Sequence, residues 1–488
     1  MNSHSAVRAL VLASAIAVTA SLAAPVASAD QQPPKGLSGA GQPDFNGDGY
    51  GDVAVSAPRA TVNGEKYAGY VSVLYGSKTK TVTASKRVFH QNTPGVPGNV
   101  GSDEFGTALA SADLDRDGFT DLVVGAPFDN MSGSGKDAGS LTVIWGSRQG
   151  LSTSALLLRG SQKYAKAGHK VVTGDFDGDG DQDIATNDNR TDLRVLDGPF
   201  RRNGQAAGTS LLKDRDNVDI TDLASGDVNK DQKDDIVATR GFSGETEARH
   251  TVLWQGSAEG LRDYSVVTGP EEAPLRGEHV ALGDINGDGH DDLVVGRAQE
   301  DRQQPHSQHL GGTITYLPGS ESGPLGEQSQ AISQRTPGVP GSPQWGDAFG
   351  TGLSIGDIDG DGYGDLVTGI PGEGFNGRNH AGWLTTVPGS WLGPDSTKAR
   401  AYSQDTPGVP GVATTWDNFG TNTAVTDTNG DGRGELIVAA AREYRGTGSV
   451  YVLKAAASGV TTKGTILVRP KDIGMPGEDQ GFGTAFSR

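Results

Sequence analysis

The residues best placed to do chemistry are acidic and recur at one spacing. The pattern D-x-[DN]-x-D-x-x-x-[DE] occurs seven times, starting at Asp44, Asp113, Asp175, Asp227, Asp284, Asp357 and Asp427. A hard cation such as Ca²⁺ takes about six to eight oxygen ligands. In a short loop, side chains at positions 1, 3 and 5 converge on one point. Position 7 adds its backbone carbonyl, and position 9 closes the shell with a carboxylate. A residue able to adopt positive φ at position 6 allows the sharp turn, hence glycine.

This reading gives seven ligand sets. They are Asp44, Asn46, Asp48, Tyr50 and Asp52; Asp113, Asp115, Asp117, Phe119 and Asp121; Asp175, Asp177, Asp179, Asp181 and Asp183; Asp227, Asn229, Asp231, Lys233 and Asp235; Asp284, Asn286, Asp288, His290 and Asp292; Asp357, Asp359, Asp361, Tyr363 and Asp365; and Asp427, Asn429, Asp431, Arg433 and Glu435. The Asp227 loop departs from the rule, with Lys230 at position 4, Gln232 in place of glycine at position 6 and Lys233 at position 7. It is expected to be the weakest site. One such match alone is as readily a polar turn; seven in the same context point to up to seven bound Ca²⁺. The ligand carboxylates outnumber the net charge of −19. The acidity therefore belongs to the loops and does not report on partners, although it disfavours nucleic acid.

The elements that position these loops repeat with them. A short apolar run follows each loop, as in Val53-Ala54-Val55, Leu122-Val123-Val124 and Leu436-Ile437-Val438. Farther on, an alternating strand ends in a Gly-Ser turn, at Gly76-Ser77, Gly146-Ser147, Gly256-Ser257, Gly319-Ser320 and Gly389-Ser390. Before several loops a strand opens with Phe-Gly, at Phe105, Phe349 and Phe419. Each unit reads strand, acidic loop, strand, variable loop, strand, Gly-Ser turn, strand. Four short strands with period-2 alternation make a propeller blade. The expected fold is all-β: a seven-bladed β-propeller of four-stranded antiparallel blades, spanning 44–488, with few helices. This overrules the prior of about 150 residues per domain.

The ends predict how the ring closes. The Asp44 loop has no Phe-Gly strand before it, and Phe482-Gly483-Thr484-Ala485-Phe486 is such a strand with no acidic loop after it. Pairing the C-terminal strand with the one after Asp52 completes a blade and removes two raw edges.

Residues 1–29 read as a secretory signal peptide. Arg8 precedes an apolar run from Ala9 to Ala24, and Ala27-Ser28-Ala29 is a small-x-small cleavage site. The run is shorter than the roughly 20 residues of a spanning helix, so the mature chain is expected to have no transmembrane segment and to be extracellular. Residues 30–43 read as a linker. The chain has no cysteine, so an exported, loop-rich fold must be stapled by something other than disulfides.

The stretch Phe105-Gly106-Thr107-Ala108, Asp113 to Asp121, then Gly125-Ala126-Pro127 resembles an FG-GAP repeat, the unit of integrin α-chain head domains. Ser56-Ala57-Pro58 and Gly369-Ile370-Pro371 are relaxed versions. The resemblance is specific in repeats 1, 2, 6 and 7 and looser in repeats 3 to 5. It implies an extracellular propeller with its calcium loops on one face and partners bound on the other.

No catalytic constellation stands out. Gly352-Leu353-Ser354-Ile355-Gly356 matches G-x-S-x-G but runs into an acidic loop with no helix after it, so Ser354 reads as a strand residue. The nine histidines form no H-E-x-x-H pair, and His169, His279 and His290 lie at strand or loop positions where they read as structural or exposed residues. The leading expectation is a monomeric binding or adhesion module for an extracellular protein or glycan. The alternatives are a polysaccharide lyase or hydrolase with its site at the channel, and a passive wall scaffold. Clustered His, Arg, Lys or Tyr with unassigned carboxylates at the channel mouth favours an enzyme, and exposed aromatics favour glycan binding. Three linkers, at Thr93–Gly98, Thr336–Gly341 and Thr406–Gly411, share the sequence TPGVPG, and Ile473–Gly477 is a diverged copy. They are expected on the face opposite the acidic loops, forming a ledge for the ligand with the loop Phe128 to Ala138. Asp103 and Asp347 are its expected surface charges.

Overall fold

The computed structural model describes residues 42–78, 86–130, 133, 135–241, 250–298, 309–477 and 480–487. The signal-peptide reading and most of the linker lie outside the described residues.

The described chain is a seven-bladed β-propeller. Six sheets have four antiparallel strands in the order of the chain. Their innermost strands are Leu109–Ala112, Val171–Gly174, Ile220–Gly226, His279–Gly283, Thr351–Gly356 and Phe419–Thr426, in blades 2 to 7. Blade 1 has three regular strands, Val53–Ala57, Tyr70–Leu74 and Lys86–Phe89. The C-terminal segment supplies its inner edge. Ser56 N donates to Ala485 O (3.0 Å), Gly483 N to Ser56 O (2.9 Å) and Ser487 N to Ala54 O (3.0 Å), and Val55 bridges Phe486. The ring closes as the complementary ends required. The one α-helical segment among the described residues is Glu443–Gly446.

Each second strand is covered by a neighbouring blade on both sides and is buried almost throughout, as in Asp121–Ala126 and Glu435–Ala440. This is why the residues after each acidic loop read as an apolar run instead of alternating. The buried apolar residues fall into seven clusters, one per blade-to-blade interface. One joins Phe45 and Val71 of blade 1 to Leu122 and Val124 of blade 2, and another joins Val53 and Phe486 to Ile437 and Val450 of blade 7. A chain with only 34% hydrophobic residues can afford this design, because each interface is thin and needs few large side chains.

Antiparallel order fixes the two faces. The acidic loops (strand 1 to 2) and Gly-Ser turns (3 to 4) share one face. The 2-to-3 loops and the connectors between blades share the other.

Candidate functional site

The seven acidic loops adopt one conformation. In every loop the first-position carboxylate accepts the amide of position 6, from Gly49 to Asp44 at 2.8 Å through to Gly432 to Asp427 at 2.8 Å. In every loop the seventh amide donates to the fifth-position carboxylate. In blades 1 to 6 the ninth carboxylate is buried and clamped from both sides, whereas Glu435 of blade 7 accepts, among the described residues, only from Thr428 and Asn429 of its own loop. Asp121, for example, accepts Leu114 N at 3.0 Å and Gly146 N, from the Gly-Ser turn, at 2.7 Å. Burial pushes these ninth carboxyls up, to about 8 at Asp52 and Asp121 and about 7 at Asp183, Asp235, Asp292 and Asp365, against the pull of the backbone amides.

Three loops bring carboxylate oxygens within 4.8 Å of one another: Asp113, Asp115 and Asp121; Asp175, Asp177 and Asp183; Asp357, Asp359 and Asp361. These are the loops with aspartate at position 3. In the other four the third-position side chain is the amide of Asn46, Asn229, Asn286 or Asn429. Oδ1 of Asp115 is buried with no hydrogen-bond partner. Converging all-oxygen groups with such an atom fit a hard divalent cation and would hold it chiefly through carboxylates.

The Asp227 loop keeps this conformation despite its sequence. Gln232 adopts φ +67° where its counterparts are glycine, at a cost in backbone strain. The Lys233 ammonium lies 3.1 Å from Asp231 O and 3.7 Å from its Oδ1. A cation supplied by the chain stands beside the expected ligand here, as the Arg202 guanidinium does beside Asp115 (2.6 Å) and Asp117 in the second loop.

Sequence reading missed how the loops touch one another. Position 4 of each loop meets the next blade, mostly its seventh residue. A Cβ at Gly47 would lie 2.7 Å from the Phe119 ring, and at Gly287 and Gly430 it would lie 2.9 Å from Tyr363 and Tyr50. Gly178 and Gly360 face Lys233 and Arg433 in the same way. Where position 4 is not glycine, a charge takes over: Arg116 pairs with Asp181, and Lys230 Nζ donates to Asp288 O at 2.6 Å. The glycine at position 4 and the bulky residue at position 7 were the available signal. A second belt runs alongside, in which the eighth-position amide of one blade donates to the first-position carbonyl of its neighbour. Thr120 donates to Asp44, Asp234 to Asp175, Asp291 to Asp227, Gly364 to Asp284, Gly434 to Asp357 and Gly51 to Asp427.

Family models agree with this geometry. The FG-GAP repeat model matches residues 36–74, 105–144, 276–315, 349–384 and 419–453, and an FG-GAP-like repeat model matches 227–295. The chain belongs to the FG-GAP repeat family of integrin α-like β-propellers. Repeat 5 is matched although it lacks both Phe-Gly and Gly-Ala-Pro. Among curated relatives, the chain is 32% identical over 33% of its length to phosphatidylinositol-glycan-specific phospholipase D of Rattus norvegicus. It is 28% identical over 50% of its length to integrin alpha-PS2 of Drosophila melanogaster. It spans 18% of the length of each.

On the other face of the FG-GAP ring the TPGVPG linkers are built-in latches. Val96, Val339 and Val409 are buried, as are the preceding Gln91, Gln334 and Gln404. These glutamines donate to Asp129 (3.2 Å), Glu373 (2.6 Å) and Tyr451 (2.8 Å) in the next blade. Asp103 and Asp347, expected as surface charges, are buried. Asp347 accepts Gln344 N within its own turn at 2.5 Å. In the loop Phe128 to Ala138, residues 131, 132 and 134 lie outside the described residues. The large apolar residues this face exposes are mostly aromatic: Tyr67 and Tyr444 on 2-to-3 loops, and Tyr164, Trp345 and Trp416, with the aliphatic Val412, on connectors. Trp416 stacks on His380, with ring centroids 4.0 Å apart and 11° between planes. The inner strands surround a central cavity of about 350 Å³. Ser354 lies in this wall with its Oγ 2.8 Å from Thr423 Oγ1. It is a buried strand residue paired with a hydroxyl.

Proposed function

We propose that the chain is an exported, calcium-loaded FG-GAP propeller that binds an extracellular ligand on the face opposite its acidic loops. Calcium at the seven loops would join neighbouring blades, because every loop also makes contacts between blades; the Asp227 site would be weakest. The observation that carries the ligand-face reading is the set of exposed aromatics. Tyr67, Tyr164, Trp345, Trp416 and Tyr444 all stand on loops of one face, and such rings supply contact area at low ordering cost. The integrin-like relatives support an extracellular partner, and flat exposed rings favour a glycan among the candidates. A glycan and secretome array, probed with and without calcium, tests the reading. Binding that needs calcium and is lost with Trp345→Ala or Trp416→Ala supports it. Binding indifferent to both changes refutes it. Export is tested by N-terminal sequencing of protein from the medium, which should begin at Asp30.

A further inference from the structure

The innermost segments of all seven blades place one residue at the same height in the channel. It is the fourth residue of the segment that in four blades opens with Phe-Gly. Blades 1, 2 and 6 carry Ala485, Ala108 and Gly352 there, and blade 7 carries Asn422. Blades 3, 4 and 5 carry Lys170, Asp222 and His279. All seven line the central cavity, near its mouth on the face opposite the acidic loops. Three blades are thus small at this height, and three consecutive blades bear titratable groups.

Those three side chains touch. Lys170 Nζ lies 3.3 Å from Asp222 Oδ1, and His279 Nδ1 lies 3.6 Å from Asp222 Oδ2. Val280 N also donates to Asp222 Oδ2 at 3.4 Å. The carboxylate is the most covered of the three, 15% exposed, whereas Lys170 and His279 are 30% and 35% exposed. An acid set behind two exposed nitrogen groups orients them: Lys170 presents N–H to the opening, and His279 does so at Nε2 in its doubly protonated form. The surroundings are positive as well. Half-buried His169 is held down to about 4, first by desolvation and then by the charges of Lys170, Lys166 and Arg190. On the rim above, Tyr164 is exposed with Lys163 Nζ 4.6 Å from its ring centroid. The alanines and glycine across the channel leave room for a sugar-sized ring.

We infer that this mouth is a subsite for the carboxylate of an acidic sugar, held by Lys170 and His279 with Asp222 as their positioning residue. The inference rests on the ligand-face reading above and narrows it to a uronate-bearing glycan; the same Lys, His and carboxylate cluster meets the condition named for an enzyme, and shortening of tetragalacturonate during the titration would overturn the binding-only reading.

The test uses the calcium-loaded full chain and calorimetric titration with tetragalacturonate, its fully methyl-esterified form and a tetraglutamate peptide. The acid should bind about tenfold or more tighter than the ester, the scale of one charge-assisted hydrogen bond. Lys170→Gln and His279→Gln should each weaken the acid by a similar factor and leave the ester unchanged. Unaltered melting of both variants would show that the fold is intact. Equal binding of acid and ester, or no effect of either variant, overturns the subsite while leaving the ligand face standing. Tighter binding of the peptide than of the saccharide overturns the sugar assignment. Binding of no probe overturns the subsite, and the array then judges the face independently.

Discussion

Phe119 of blade 2 lies against Gly47 of blade 1, so that a Cβ on Gly47 would come within 2.7 Å of its ring. Gly49, two residues on, also has positive φ but meets nothing within 4 Å. Both should suffer backbone strain as alanine, and only Gly47→Ala should also push two blades apart. Gly47→Ala is expected to unfold at lower denaturant than Gly49→Ala, by about 1–3 kcal/mol, the scale of overpacking. Equal destabilisation of the two in urea titrations would show that the loop-to-loop contact carries no weight.

Calcium removal should loosen the whole ring. Each loop carries three or four carboxylate groups at motif positions, converging in three of the loops, and an ion at 100 times its Kd adds about 2.7 kcal/mol per independent site. Melting should fall markedly in chelator and recover on adding calcium. An unchanged melting curve, with metal shown by elemental analysis to be gone, would contradict this.

The sites should not be equal. Asp361 belongs to a three-carboxylate cluster, whereas Asp231 already has the Lys233 ammonium beside it. Asp361→Ala is expected to remove close to one bound calcium per chain, and Asp231→Ala much less. Elemental analysis after gel filtration measures both, and equal losses would reject the ranking.

The sign of the pH response should depend on metal. Without calcium, burial raises the six ninth-position aspartates in the fold to about 7 to 8, against an ordinary 3.8. A raised folded value means that the fold binds these protons more tightly than the unfolded chain does. That stability is complete below about pH 4 and is lost as pH rises through about 7 to 8. In chelator, melting should therefore fall between about pH 5.5 and 8.5. With calcium, which requires the ionised form, it should rise over the same range. The same sign in both conditions would argue against the ninth residues as ligands.

The ring was legible because its signals are local and repeated. Asp-x-Asp-x-Asp spacing, the run after Asp121 and the Phe482 segment each have one structural meaning, and seven copies average out accidents. Contacts between repeats were harder to read. Gly47 and Phe119 are far apart in sequence, and nothing local says that position 4 of one loop receives position 7 of the next. The TPGVPG segments looked like free surface, yet Gln334 and Val339 bury themselves, because a connector between blades must also seal their joint. The Lys170, Asp222 and His279 ring position escaped notice because each residue is unremarkable within its own strand. Only closure brings the three together.

The claim that matters most is that the ligand binds opposite the acidic loops, and two tryptophan environments test it directly. Trp416 stands on the aromatic face, whereas Trp391, 72% exposed, stands on a 3-to-4 turn of the acidic-loop face. Both can become alanine without disturbing a buried core. Binding of the calcium-loaded protein to whichever array ligand it selects should drop about tenfold or more with Trp416→Ala, as for a central aromatic anchor, and stay unchanged with Trp391→Ala. Loss of binding with Trp391→Ala alone would contradict the account.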